Sequence, residues 1–238
     1  MFVRTESFKQ FIRFYPVVSL IVFLNIILYI LTVLPIFPNS YFLQMFAGVN
    51  IYIREGEIWR LLTPIFLHNN FMHMLFNSFS IVLFAPSLER MLGKWRFLLV
   101  YIGTGIFANL ATLLLKPATY VHVGSSGAIF GLFGFYLSIL LLRKYVISRN
   151  NSQFLVMIIA ISFIMTFLQP NINVTAHFFG LISGFLFGVL FFREGKNMIN
   201  LLQSQAKNWS GSKTGSKTAP SILLIIIIIL AILGLLSR

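Results

Sequence analysis

Apolar residues run along this chain in blocks of about 16–21, separated by short polar or basic stretches. The blocks fall at 17–37, 70–86, 97–115, 126–142, 153–168, 174–192 and 221–236. At a rise of about 1.5 Å per residue, each crosses or nearly crosses a hydrocarbon layer about 30 Å thick. The pattern predicts an all-α, polytopic membrane helix bundle: six spans within a core at 16–193, and a seventh helix in the C-terminal stretch 221–238. Between them, 194–220 is a basic Gly/Ser/Thr/Lys stretch with no apolar period, which reads as a flexible linker on the cytoplasmic side. Residues 1–15 are mixed polar and basic, lack a small-residue cleavage site, and read as a retained cytoplasmic lead-in. The first connection, 38–69, is too long and too aromatic for a turn and is expected to pack as a structured lobe on the membrane interface. Residues 89–96 are expected to form a loop after the second span, and 116–123 a short loop containing Pro117. No internal repeat is visible.

Composition narrows the chemistry. The chain is 58% hydrophobic and 10% charged, where a soluble domain carries about a quarter charged residues; its mean hydropathy is +0.90. It has no Cys, which excludes disulfides, thiolate catalysis and Cys-based zinc sites. It has no Asp, and its acids (Glu6, Glu55, Glu57, Glu89 and Glu194) avoid the middle of every span, which removes paired-carboxylate chemistry from the membrane. No His-Glu-x-x-His pattern occurs, so a zinc peptidase is not expected, nor is any metal or cofactor.

The net charge of +13 reads as topology rather than nucleic-acid binding. With the N-terminus inside, fourteen basic residues lie inside: Arg4, Lys9 and Arg13; Arg90, Lys94 and Arg96; Arg143, Lys144 and Arg149; and Arg193, Lys196, Lys207, Lys213 and Lys217. Four lie outside, namely Arg54, Arg60, Lys116 and Arg238. This asymmetry orients the bundle with its N-terminus cytoplasmic and its seventh span ending outside.

Polar groups inside three spans share a depth. His73 lies 17 residues before Arg90, Ser126 lies 17 before Arg143, and His177 lies 16 before Arg193. Each therefore sits about 24–26 Å above the inner basic anchors, in the outer part of the bilayer core. Asn77 follows His73 by four residues, on the same helix face and one turn deeper. Gly127 and Gly131 on the fourth span, and Gly180, Gly184 and Gly188 on the sixth, allow close backbone approach and would bring His177 within reach of Ser126. Taken singly, each feature has a plainer reading. A glycine stripe signals packing, a membrane Ser bonds its own i−4 carbonyl, and a lone membrane His is more often structural. Ser125 is expected to do no chemistry. His68 and His122 are expected to be structural, with His122 the fallback base because it is close to Ser126 in sequence.

The ordered set is more specific. Trp59-Arg60, His73-Met74-Leu75-Phe76-Asn77, Leu88-Glu89-Arg90-Met91-Leu92-Gly93, Gly124-Ser125-Ser126-Gly127 and Ala176-His177-Phe178-Phe179-Gly180 through Gly184 resemble, in order, the motifs of the bacterial rhomboid intramembrane serine proteases. The resemblance covers about residues 15–192, and the seventh helix resembles a family variant. It implies a serine endopeptidase that cleaves in or beside transmembrane segments of membrane-protein substrates, at the outer side of a bacterial plasma membrane. It also implies Ser126 as nucleophile and His177 as general base, a dyad with no Asp. His73, Asn77 and the Ser126 amide would form the oxyanion hole, each donor worth about 3–4 kcal/mol of barrier. One position departs from the family: Phe130 stands where a Tyr often stacks on the catalytic His, which keeps the ring and drops the hydroxyl. The alternatives are a catalytically inactive rhomboid-like protein that binds transmembrane helices, against which Ser126 and His177 argue, and a transporter or channel. A transporter would want coupled charges or a repeat near the midplane, and neither is found.

Overall fold

The computed structural model describes residues 2, 5–34, 39–143, 146–169 and 171–194. The linker beyond 194 and the seventh span expected at 221–238 lie outside them. The described chain is a helix bundle: α1 (Phe8–Phe14), α2 (Pro16–Val33), α3 (Asn39–Phe46), α4 (Asn50–Arg54), α5 (Phe71–Leu92), α6 (Lys94–Leu115), α7 (Ser126–Leu142), α8 (Arg149–Leu168) and α9 (Val174–Glu194). A two-stranded antiparallel ribbon, β1 (Gly48–Val49) with β2 (Val121–His122), joins the first lobe to the loop before α7. Among the described residues, α2, α5, α6, α8 and α9 are long and apolar enough to cross a membrane.

The shorter helix α7 is the axis of the bundle. Every residue from Gly127 to Ile139 is buried, and successive residues turn about 100° around the axis, so its neighbours enclose it on all sides. Its 17 residues span only about 25 Å, less than a hydrocarbon layer of about 30 Å. A helix of that length cannot present both ends at the membrane surfaces, so its first residue, Ser126, can lie below one of them. Helix α9 packs on α7 at backbone distance. A Cβ on Gly180 would collide with the Gly127 carbonyl, one on Gly184 with the Gly131 carbonyl, and one on Gly188 with the Ser138 hydroxyl. The recurrence of glycine every fourth residue is therefore the contact seam itself.

The structure corrects one expectation. Helix α5 does not stop at Pro86 but continues to Leu92, and residues 94–96 already belong to α6, so the expected loop at 89–96 reduces to a hinge at Gly93 with φ 78°. The reason is tertiary. Leu88 and Leu92 are buried, and the Glu89 carboxylate accepts hydrogen bonds from the backbone N–H groups of Val17 (3.0 Å) and Val18 (2.9 Å). A carboxylate at the start of α2 satisfies two donors that no helix can satisfy internally, and it favours the positive end of the helix dipole. The helical turn 87–92 is what places Glu89 there.

From residue 39 to α5 the lobe is built of short helices and turns. Buried Arg60 ties it together, pairing with Glu57 at 2.6 Å and donating to the carbonyls of Gln44 (2.6 Å) and Ala47 (2.8 Å), with its guanidinium 5.0 Å from the Tyr52 ring centroid. Asn50 fastens the lobe to the end of α6 by donating to the Thr112, Lys116 and Pro117 carbonyls at 2.9–3.2 Å.

Candidate active site

Ser126, His73 and His177 all lie in first turns of helices. Asn70 caps α5, its Oδ1 accepting from the His73 amide at 2.8 Å, and so sets His73 at the third helical position. Asn173 precedes α9, where its Oδ1 accepts from the Ala176 amide at 3.0 Å while its Nδ2 donates to Thr112 Oγ1 on α6 at 2.9 Å. Ser126 is the first residue of α7, reached through Gly124 in a left-handed conformation (φ 125°) whose amide is held by the Pro64 carbonyl at 2.8 Å. Side chains and backbone then interlock across the three starts. A Cβ on Gly124 would lie 2.6 Å from His73 Nε2 and 3.7 Å from Asn77 Nδ2, so only glycine lets the backbone pass there. A Cβ on Gly127 would lie 3.6 Å from that of Ala176, the neighbour of His177. One turn below Ser126, the Phe130 ring stacks on the His177 imidazole at 4.2 Å between centroids and 15° between planes. Free N–H groups and the positive ends of three helix dipoles thus meet around one point, an arrangement that favours negative charge.

The polar groups differ in how far they are satisfied. His177 is 7% exposed, and its Nδ1 lies 2.8 Å from Thr166 Oγ1 on α8. Asn77 is buried at 8% exposure, and its Nδ2 has no hydrogen-bond partner among the described residues: a donor with nothing to donate to. The orientation of His73 can be read from its neighbours. Asn70 uses its Oδ1 for the cap, so its Nδ2 is the group facing Asn69, and the Asn69 atom 2.9 Å away is an oxygen. That oxygen also lies 3.0 Å from His73 Nδ1, which must therefore carry a proton. In the neutral ring Nε2, the atom beside Gly124, is then a lone pair; it becomes a donor when the ring is protonated. Ser126 is partly exposed. Among the described residues no hydrogen bond joins Ser126 Oγ to His177; such bonds are often long before substrate arrives and tighten in the complex.

Two further histidines lie near this point. His68 is fully buried; its Nε2 is 3.4 Å from Ser125 Oγ and its ring meets that of His73 edge-on at 5.0 Å. Burial, reinforced by His73, holds its pKa down to about 3. His122 packs over Gly48 in the ribbon and stacks on Tyr120 at 6.2 Å, with burial lowering its pKa to about 4. Among the described residues neither of its ring nitrogens has a hydrogen-bond partner, so no contact with Ser126 supports it as a base. The contributions of Asn69, Asn70, Asn173 and Thr166 are not visible in the sequence reading. A capping signal exists for Asn70 and Asn173, each just ahead of an apolar run. No local pattern marks Thr166.

A family model, the Rhomboid domain, matches residues 55–194, more than half of the chain. The chain belongs to the rhomboid family. It is 50% identical over 190 residues to the protein named "Putative rhomboid protease YdcA" of Bacillus subtilis, covering 80% of this chain and 96% of that protein. It is 39% identical over 139 residues to Rhomboid protease GluP of Bacillus subtilis, covering 58% of this chain and 27% of that protein. To Rhomboid-like protease 2 of Toxoplasma gondii it is 35% identical over 156 residues, covering 64% of this chain and 54% of that protein. It thus spans nearly all of the first relative and about a quarter and a half of the other two. Family membership makes this rhomboid a multi-pass membrane protein and a serine-type endopeptidase of the intramembrane kind, acting on membrane-spanning substrates.

Proposed function

We propose that this rhomboid cleaves a peptide bond in or beside a substrate's transmembrane segment by a Ser126–His177 dyad, at a site opening to the outer side of a bacterial plasma membrane. Ser126 Oγ attacks the scissile carbonyl while His177 Nε2 takes its proton; His177 then returns the proton to the leaving amine, and water releases the acyl group by the same route. The developing oxyanion is held by the Ser126 amide and Asn77 Nδ2, joined by His73 Nε2 when that ring is protonated. The observation that carries this reading is the seam of α7 and α9, where Ser126 opens one helix and His177, stacked on Phe130, lies in the first turn of the other. The unpartnered Asn77 amide supports the oxyanion assignment, since a buried donor left empty in the ground state is best explained by an acceptor that forms only in reaction. A helical substrate must first expose its scissile carbonyl, so helix-breaking residues near the cut should speed cleavage.

The test is cleavage of a transmembrane substrate in proteoliposomes by wild type, Ser126→Ala and His177→Ala. The reading expects turnover by wild type and none by either variant. Substrate binding without any wild-type turnover would favour the helix-binding pseudoprotease instead.

A further inference from the structure

We infer that Thr166, on α8, is a positioning residue that sets the tautomer of His177. Its hydroxyl makes two contacts, one to the Ser162 carbonyl at 3.0 Å and one to His177 Nδ1 at 2.8 Å. A hydroxyl has one proton, and a carbonyl can only accept. Both contacts are satisfied together in one way: Thr166 donates to Ser162 and accepts from Nδ1–H of His177. The ring proton is then on Nδ1, and Nε2 carries the lone pair that a general base needs. The opposite tautomer would leave Nδ1 and the Ser162 carbonyl competing for a single proton, and would place a proton on the nitrogen that must receive one from serine.

The rest of the surroundings makes Thr166 the controlling contact. It is 2% exposed, so water does not substitute for it. Phe130 holds the plane of the imidazole but is apolar and indifferent to which nitrogen is protonated. Among the described residues Thr166 is the hydrogen-bond partner of the His177 ring. The chain has no Asp, and the hydrogen bond to His177 Nδ1 comes from Thr166, so a neutral hydroxyl does here what a carboxylate does in a triad. As a neutral acceptor it orients the base and stabilises the imidazolium only weakly, so its loss should slow turnover far less than loss of the base itself.

This inference rests on the Ser126–His177 dyad, and the experiment separates the two. Wild type, Thr166→Val, Thr166→Ser and His177→Ala are compared on a fluorogenic transmembrane peptide in proteoliposomes, and the ring nitrogens of 15N-histidine-labelled protein are read by NMR in micelles. Thr166→Val should lower kcat about 3–30-fold with KM within twofold, as expected for losing one buried hydrogen bond that matters to the reaction. Thr166→Ser should restore turnover to within about twofold of wild type. The wild-type spectrum should show His177 protonated on Nδ1. A wild-type ring protonated on Nε2 would overturn the inference without recourse to any variant. So would Thr166→Val turning over like wild type, or Thr166→Ser failing as badly as Thr166→Val, while His177→Ala is inactive. Activity in His177→Ala would overturn the dyad instead.

Discussion

Asn77 offers a separation of catalysis from stability that few active-site residues allow. Its buried Nδ2 has no hydrogen-bond partner among the described residues, so the amide is a liability to the folded state. An unsatisfied buried donor costs about 1–3 kcal/mol. Asn77→Ala removes that liability together with some van der Waals contact, and the two effects oppose each other. Folded-state stability should therefore change by no more than about 1 kcal/mol in either direction. The transition state behaves differently. A hydrogen bond to a charged group contributes about 1.5–3 kcal/mol, which is about 10–100-fold in rate. Asn77→Ala should thus lower kcat about 10–100-fold, with KM nearly unchanged, while the melting temperature in micelles stays within a few degrees of wild type. Turnover of a fluorogenic transmembrane peptide in proteoliposomes, paired with a thermal melt, reads both quantities. Undiminished kcat would refute the oxyanion role, and a collapse of the melting temperature would refute the claim that the amide is unsatisfied at rest.

Other perturbations probe the scaffold. Gly184→Val would drive a branched side chain into the Gly131 carbonyl, which as backbone cannot yield, and should destabilise the protein by about 3 kcal/mol or more with loss of activity, read by detergent denaturation and cleavage. Glu89→Ala leaves two amides at the start of α2 without their charge-assisted bonds, and should lower stability by about 2 kcal/mol in a thermal melt while the folded fraction still cleaves. Acid should destabilise the fold through His68 and His122. Both are held below their ordinary value of 6.5, so the unfolded chain takes up protons that the folded one refuses as pH falls from 6.5 toward about 4 and 3. Their contribution is complete above pH 6.5 and lost below it; a melting temperature that falls between pH 7 and 4, and falls less in His68→Gln/His122→Gln, is the expected record.

What the sequence discloses and what it conceals follow from the range of the interactions. Apolar block length locates the described spans, and the glycine spacing on 127–131 and 180–188 marks a seam that the structure shows at backbone contact. Counting residues from the basic anchors puts His73, Ser126 and His177 at one level, and the structure has all three in first turns of helices. The end of α5 is hidden from the sequence because Pro86 looks like a stop signal locally, whereas the partner of Glu89 is the start of α2, 71 and 72 residues away in sequence. Thr166 is invisible for the same reason: its bond to His177 depends on how α8 lies against α9, and a lone threonine in an apolar run carries no mark of it. The unpartnered state of Asn77 likewise exists only once the helices have packed.

The account turns on a hydroxyl at the start of α7 made nucleophilic by an imidazole at the start of α9. Treating the reconstituted protein with a serine-reactive fluorophosphonate and mapping the adduct by mass spectrometry tests this directly. Modification should fall on Ser126, at a rate that His177→Ala abolishes and Ser125→Ala leaves standing. An adduct on another serine, or labelling of Ser126 that proceeds equally fast without His177, would contradict it.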